Sequence, residues 1–216
     1  MKNIDTVLFD LDGTLIDTNE IIIKSYQHAF KTHLPNIMIT RDKIISFIGP
    51  TLQEVFSSYT VSPFKVKKMI TTYRDYYTLH EFDYFSLYPD VIPVLDKLKQ
   101  KGYNMGIVTS KFKAAAMPSF KHFGLDKYFR VFISLDDVTK PKPNEEPVLK
   151  ALSSFNSVHN AIMIGDNRSD ILSGRNANIL TAGVAWSIKG PKHLEGVHPD
   201  YMLRSLNDLL TVLRID

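Results

Sequence analysis

Five short apolar segments recur along the chain, and stretches with helical periodicity separate them. The apolar segments cover residues 6–10, 104–109, 129–134, 160–165 and 179–185. Between them, as in residues 90–102 and 145–155, apolar side chains recur every three or four positions, which is the spacing of one helix face. Strands that alternate with helices predict a parallel sheet with helices on both faces, a Rossmann-like α/β fold.

The chain between residues 17 and 84 follows a different pattern. Its two longest periodic segments, 19–34 and 64–80, are helical in spacing, and no strand pattern lies between them. Such a connection is far longer than the usual link of about 2–6 residues between a strand and a helix. We therefore predict a core domain of residues 1–16 and 85–216 and an inserted all-helical cap domain of residues 17–84.

Composition and charge narrow the class of protein. The 26 basic and 23 acidic residues are dispersed and give a net charge of +3, so we expect no nucleic-acid partner. The chain has no cysteine, which excludes disulfides and thiolate metal sites. No segment approaches the roughly 18 apolar residues of a membrane span, and Asp10 interrupts the first apolar run before it could form a signal-peptide core. We expect a cytoplasmic protein without a membrane segment; its oligomeric state stays open.

Polar residues follow the ends of three predicted strands. Asp10 ends the first strand, Thr109 ends the second, and Asp166 follows the fourth. Ligands of open parallel sheets bind beyond the carboxyl ends of the strands, so we expect these three side chains at one edge. Asp12 lies two residues after Asp10 in an extended segment and points the same way. Asp170 lies one helical turn after Asp166 if a helix begins there.

Carboxylates gathered at one edge need a cation or a proton, because like charges at such short distances repel each other. Hard oxygen ligands at an open site suit Mg²⁺, which also binds phosphate oxygens. We therefore predict a Mg²⁺ site built from Asp10, Asp12, Asp166 and Asp170. Turn or N-cap roles would explain any one of these residues but not the whole set.

The motifs together resemble those of the haloacid-dehalogenase-like (HAD) phosphatases. "DLDGT", "GIVTSK", a Lys-Pro segment before a helix and "GDNRSD" occur in the family's order. A helical insert after the first motif resembles the cap of the subgroup with phosphoglycolate phosphatases and β-phosphoglucomutases. The segments "FIGPTLQEVFSS" and "TAGVAWSIKGP" are similar to the PpaX-type inorganic pyrophosphatases of Gram-positive bacteria. The resemblance covers essentially the whole chain and implies a Mg²⁺-dependent phosphohydrolase.

The resemblance also implies catalytic roles. Asp10 would be the nucleophile that forms an aspartyl-phosphate, and Asp12 would be the general acid and then the general base. Thr109 and Ser110 would bind the transferring phosphoryl group, with help from backbone N–H groups at a helix start.

The family's ligand pattern refines the metal site. Mg²⁺ would be held by the carboxylates of Asp10 and Asp166 and by the backbone carbonyl of Asp12. Asp170 would be an outer partner.

Two lysines compete for the family's phosphate-binding lysine. The string "KPKP" that begins at Lys140 matches the family's Lys-Pro-x-Pro pattern literally. The family usually places this lysine five residues before a proline that corresponds here to Pro147, and this spacing favours Lys142 instead. We predict Lys142, with Lys140 as the alternative.

The resemblance implies that the cap domain determines substrate choice, because its loops would contact the leaving group. The candidates are Arg41, Lys43 and the loop Gly49, Pro50 and Thr51. The leading hypothesis for the substrate, a small phosphate compound, is inorganic pyrophosphate. A phosphomonoesterase of the phosphoglycolate phosphatase type is the alternative, followed by a β-phosphoglucomutase-like mutase and a non-catalytic phosphate-binding regulator.

Overall fold

The computed structural model describes residues 4–215, and the chain divides into two compact units. The core unit comprises Met1–Asp17 and Leu87–Asp216, and the cap unit comprises Thr18–Ser86. The boundaries expected from the sequence, 16/17 and 84/85, lie within two residues of these limits.

Strands and helices alternate through the core unit, and helices alone build most of the cap unit. None of the helices in residues 4–215 combines the length and apolarity that crossing a membrane requires. In chain order the elements are β1 (Thr6–Phe9), β2 (Ile16–Asp17), α1 (Asn19–His33), α2 (Arg41–Ile45), α3 (Leu52–Ser57), α4 (Pro63–Tyr84), β3 (Ser86–Leu87), α5 (Val91–Gln100), β4 (Asn104–Val108), α6 (Lys113–His122), β5 (Val131–Ile133), α7 (Glu146–Ser153), β6 (Ala161–Gly165), α8 (Arg168–Asn176), β7 (Leu180–Val184), α9 (Lys192–Glu195), β8 (Tyr201–Leu203) and α10 (Asp208–Leu213).

Six strands form one parallel sheet in the order β5-β4-β1-β6-β7-β8, and β2 pairs with β3 in a separate two-stranded sheet. The expected parallel sheet is thus confirmed. Its first five strands in chain order are those that the apolar segments predict, to within two residues at either end. The sixth, β8, was not predicted, because three residues are too few to show an alternating pattern.

Strand β1 lies at the centre of the sheet and is buried on both faces. Leu8 packs in one cluster with Val148 of α7, whereas Phe9 meets the ring of Phe129 edge to face, and Phe129 in turn contacts Phe120 of α6. Because successive strand residues point to opposite faces, α6 and α7 cover opposite sides of the sheet. Burying each such side chain stabilises the fold by about 1.5–3 kcal/mol.

The cap unit is a helical bundle in which α1 packs along α4. Aromatic rings fill its centre: Tyr26 meets both Phe47 and Tyr73 edge to face, at centroid distances of 5.3 and 4.8 Å. His33 of α1 and Thr72 of α4 also share a hydrogen bond of 2.7 Å. Apart from Ser86, where β3 begins, the unit contains no strand residue, and its helices pair most of their backbone polar groups internally.

Candidate active site

The site lies where the chain changes direction across the sheet. After β1 the chain builds β4 and β5 on one side and then returns to build β6, β7 and β8 on the other. Such a switch point leaves a crevice beyond the carboxyl ends of the central strands. Asp10 extends β1 and donates its backbone N–H to Ile164 (2.8 Å), and Thr109 extends β4 and donates its own to Ile133 (2.9 Å). The ladder hydrogen bonds therefore hold both residues at this edge.

A buried lysine joins two of the carboxylates. Lys142 Nζ donates to Asp10 Oδ1 (2.9 Å), to Asp170 Oδ1 (2.5 Å) and to the Val108 carbonyl (2.8 Å). Its side chain is only 2% exposed, whereas Lys140 is exposed. The structure thus places Lys142, and not Lys140, beside Asp10.

Burial dominates the electrostatics of these groups. Removal from water raises the pKa of Asp10 to about 7, against the opposing effect of the Lys142 charge. Burial and the neighbouring carboxylate of Asp170 likewise raise the pKa of Asp166 well above its ordinary value. Burial alone would lower the pKa of Lys142, but the charges of Asp10 and Asp170 raise it above that of a free lysine. One ammonium group therefore does not neutralise this cluster of carboxylates.

The carboxylates form a group that fits a small divalent cation. Asp10, Asp166 and Asp170 each offer an oxygen, and these oxygens lie within 4.8 Å of one another. Asp170 already accepts from Lys142 through Oδ1 and from the backbone N–H of Asn167 (2.9 Å) through Oδ2. Asp10 and Asp166 are thus the better direct ligands, and the outer role that the resemblance implies for Asp170 stays a prediction. Buried hard oxygen donors with excess negative charge suit Mg²⁺.

Asp166 is held by neighbours to which the sequence analysis gave no role. Asn167 Nδ2 donates to Asp166 Oδ1 (2.9 Å), and the buried hydroxyl of Ser187 donates to Asp166 Oδ2 (3.4 Å). Lys189 lies in the same loop after β7 and donates to Asn167 Oδ1 (3.2 Å). Burial lowers the pKa of this lysine. The loop after β7 therefore forms a wall of the site, a role visible in sequence only once β7 is known to lie beside β6.

Asp12 occupies a separate, more open position. Its carboxylate pairs with Lys111, whose Nζ lies 3.3 Å from Oδ2 and 3.4 Å from Oδ1. The backbone N–H of Lys111 also donates to the hydroxyl of the buried Thr109 (3.2 Å). Ser110, between them, is exposed. The sequence analysis predicted Thr109, Ser110 and backbone donors at this turn, but it missed the Lys111 side chain.

Gly13 allows the loop after Asp10 to approach Asp166. A Cβ built at Gly13 would lie 2.6 Å from Asp166 Oδ2, and the residue has a φ of +77°. We expect Gly13→Ala to lose both stability and activity, because it adds a clash with a metal-binding carboxylate to the strain of a left-handed backbone, which alone costs about 1 kcal/mol. Thermal unfolding and turnover measure the two effects.

Gly102→Ala is the matched control for that substitution. Its φ is +78°, and nothing lies within 4 Å of an added Cβ, so it carries the backbone strain without the clash. Equal losses in both variants would contradict the close packing of Gly13 on Asp166.

Local partners within the cap unit hold three of the five cap residues expected to choose the substrate. Arg41 forms an ion pair with Glu20, and Thr51 caps α3 in a reciprocal arrangement with Glu54. Lys43 donates its backbone N–H to the hydroxyl of the residue that caps α2. Their contact with a substrate stays a prediction. All five are exposed: Arg41, Lys43, Gly49, Pro50 and Thr51.

Comparison with known proteins identifies the family of this chain. The model of the haloacid dehalogenase-like hydrolase family matches residues 7–184. A pyrophosphatase PpaX of Listeria monocytogenes serotype 4b is 46% identical over 212 residues, which are 98% of this chain and 97% of that protein. A pyrophosphatase PpaX of Anoxybacillus flavithermus is 42% identical over 214 residues, 99% of this chain and 98% of that one.

A solved structure shows the same architecture. A hydrolase of the haloacid dehalogenase-like family from Streptococcus pneumoniae superposes with a TM-score of 0.84 at 26% identity, covering 98% of this chain and 99% of its own. The family match spans both the core motifs and the cap, and the resemblance inferred from the motifs is confirmed. This chain therefore belongs to the haloacid dehalogenase-like hydrolase family and is a phosphohydrolase.

Proposed function

We propose that the protein is a Mg²⁺-dependent inorganic pyrophosphatase that works through an aspartyl-phosphate on Asp10. The observation that carries the chemistry is the position of the Asp10 carboxylate, which lies at the end of the central strand against Lys142 and within reach of Asp166. The pyrophosphatase name of relatives that are 42–46% identical over nearly the whole chain supports the substrate. We also propose a cytoplasmic location, as expected from the sequence.

In the first step, a carboxylate oxygen of Asp10 attacks one phosphorus of pyrophosphate. A bond forms between that oxygen and phosphorus, and the bond from phosphorus to the bridging oxygen breaks, with its electron pair going to the leaving phosphate. Asp12 follows Asp10 by two residues and gives its proton to that oxygen as general acid.

In the second step, water attacks the phosphorus of the aspartyl-phosphate. Asp12, now ionised, takes a proton from the attacking water as general base. The bond between phosphorus and the Asp10 oxygen breaks, which restores the carboxylate and releases the second phosphate. Splitting the reaction in this way lets one pair of aspartates serve both halves.

The remaining residues position the reacting groups. Thr109, buried at the end of β4, would donate its hydroxyl to the phosphoryl group, and Lys142 keeps Asp10 oriented and balances charge as it develops. When bound by Asp10, Asp166 and the Asp12 carbonyl, Mg²⁺ would supply positive charge that offsets the repulsion between an anionic nucleophile and an anionic phosphoryl group. Asn167 and Ser187 would hold Asp166 ready for this ion.

Phosphate release from pyrophosphate, phosphoglycolate and an aryl phosphate, measured in parallel with Mg²⁺, tests this proposal. We expect kcat/KM to be at least about tenfold higher for pyrophosphate, a difference of about 1.4 kcal/mol in transition-state binding. Removing the metal with a chelator should abolish release, and adding Mg²⁺ should restore it.

Each of the other outcomes would contradict a specific part of this proposal. A preference for an ester would leave the mechanism intact and make the protein a phosphomonoesterase. Release that survives complete metal removal would contradict the role of Mg²⁺. No release from any substrate would contradict hydrolysis and favour the mutase or the non-catalytic regulator.

A further inference from the structure

The donors of the buried lysine are fully used by the protein. An ammonium group has three N–H donors, and Lys142 gives one each to Asp10, Asp170 and the Val108 carbonyl. Pyrophosphate carries a second, strongly anionic phosphate besides the one transferred. In this arrangement Lys142 has no N–H left to donate to that second phosphate, so another cation would be needed to bind it.

Lys111 lies beside the residue that has to meet the leaving group. As general acid, Asp12 has to come within hydrogen-bond distance of the bridging oxygen that departs. Lys111 Nζ is 3.3 Å from Asp12 Oδ2 and 3.4 Å from Oδ1. An ammonium group that contacts both oxygens of the acid is also within reach of the phosphate attached to the departing oxygen.

Burial and backbone contacts favour a binding role over a solvated surface role for this lysine. Its side chain is only 16% exposed and is therefore largely removed from water, and the side chain of Asp12 beside it is 23% exposed. The backbone is held on both sides, since the Lys111 N–H donates to the Thr109 hydroxyl (3.2 Å) and its carbonyl accepts from Leu135 (3.0 Å). The side chain therefore starts from a fixed point beside the phosphoryl-binding threonine.

We propose that Lys111 binds the leaving phosphate of pyrophosphate and so gives the core unit its own preference for a phosphate leaving group over an alcohol. This inference rests on the proposed function. The leaving phosphate is anionic before, during and after bond cleavage, so a nearby ammonium group stabilises it throughout. An alcohol or phenol leaving group, which Asp12 protonates as the bond breaks, carries no lasting charge and gains much less from Lys111. Specificity is then not left to the cap unit alone.

Lys111→Ala separates the two leaving groups. We expect kcat/KM for pyrophosphate to fall about 10- to 100-fold, the size of one lost hydrogen bond between charged groups, while kcat/KM for an aryl phosphate changes less than about threefold. Lys111→Arg should recover part of the loss with pyrophosphate. Lys113→Ala is the matched control, because Lys113 is exposed and its contact with Asp136 is made by the backbone N–H. Thermal unfolding checks that each variant is folded.

Two results would overturn the inference. Equal losses with pyrophosphate and the aryl phosphate would mean that Lys111 acts only through Asp12, and no loss with pyrophosphate would mean that it binds no second phosphate. Inhibition by imidodiphosphate, a non-hydrolysable analogue, is measured with the aryl phosphate as reporter substrate. Its inhibition constant should rise about tenfold or more in Lys111→Ala, and an unchanged constant would also contradict the inference. This measurement needs only an active phosphatase, so it decides the role of Lys111 even if the wild-type protein prefers an ester and the proposed function fails.

Discussion

Asp10→Asn is expected to reduce turnover by about 10⁴- to 10⁶-fold, the range seen when a catalytic nucleophile is removed. The asparagine amide cannot attack phosphorus to form the acyl-phosphate intermediate, although its oxygen can still accept from Lys142. The fold should survive, because the substitution keeps the side-chain volume and removes one of several buried like charges. Initial rates of phosphate release with Mg²⁺ and a thermal unfolding curve measure the two effects.

The matched control for this variant is Asp126→Asn, which makes the same chemical change at an exposed position of the core unit. We expect it to retain both turnover and stability. Activity in Asp10→Asn close to that of the control would disprove the nucleophile assignment. Unfolding of Asp10→Asn at ambient temperature would instead make its lost activity uninformative, and trapping a phosphate analogue on the wild-type Asp10 would then decide the assignment.

Lys142→Met is expected to have the largest effect on stability. The substitution leaves the buried carboxylates of Asp10 and Asp170 without their cation, and breaking a buried ion pair from one side costs about 3–5 kcal/mol. Turnover should also fall about 10²- to 10³-fold, because Asp10 loses the donor that orients it. Urea unfolding without metal measures the loss of stability, and Mg²⁺ should restore part of it by neutralising the same carboxylates.

Lys140→Met provides the comparison two residues away. Lys140 is exposed, and its contact with Glu146 is made by the backbone N–H, which the substitution keeps. We expect its free energy of unfolding to stay within about 0.5 kcal/mol of the wild type. Loss of activity in Lys140→Met with retention in Lys142→Met would reverse the choice between the two lysines that the structure supports.

The fold was predictable wherever a helix or strand is long enough to show the regular spacing of its apolar residues. The apolar run at the start of the chain identified β1, and the alternation of strand and helix identified the parallel sheet. The insertion was predictable because about 70 residues of helical spacing cannot be a loop. Strand β8 escaped prediction because its three residues form a strand only by pairing with β7. Its assignment depends on a neighbour that is distant in sequence.

Part of the site was likewise predictable from the sequence, and part was not. The sequence by itself determined which residues end the central strands, and therefore that Asp10, Thr109 and Asp166 share one edge, since chain direction and strand order place every carboxyl end together. Only the tertiary structure decided between Lys140 and Lys142, and only it brought Ser187 and Lys111 against Asp166 and Asp12. These residues lie on loops or carry long flexible side chains, so the direction in which they point depends on packing and on hydrogen bonds from distant segments, and not on the local period of the chain.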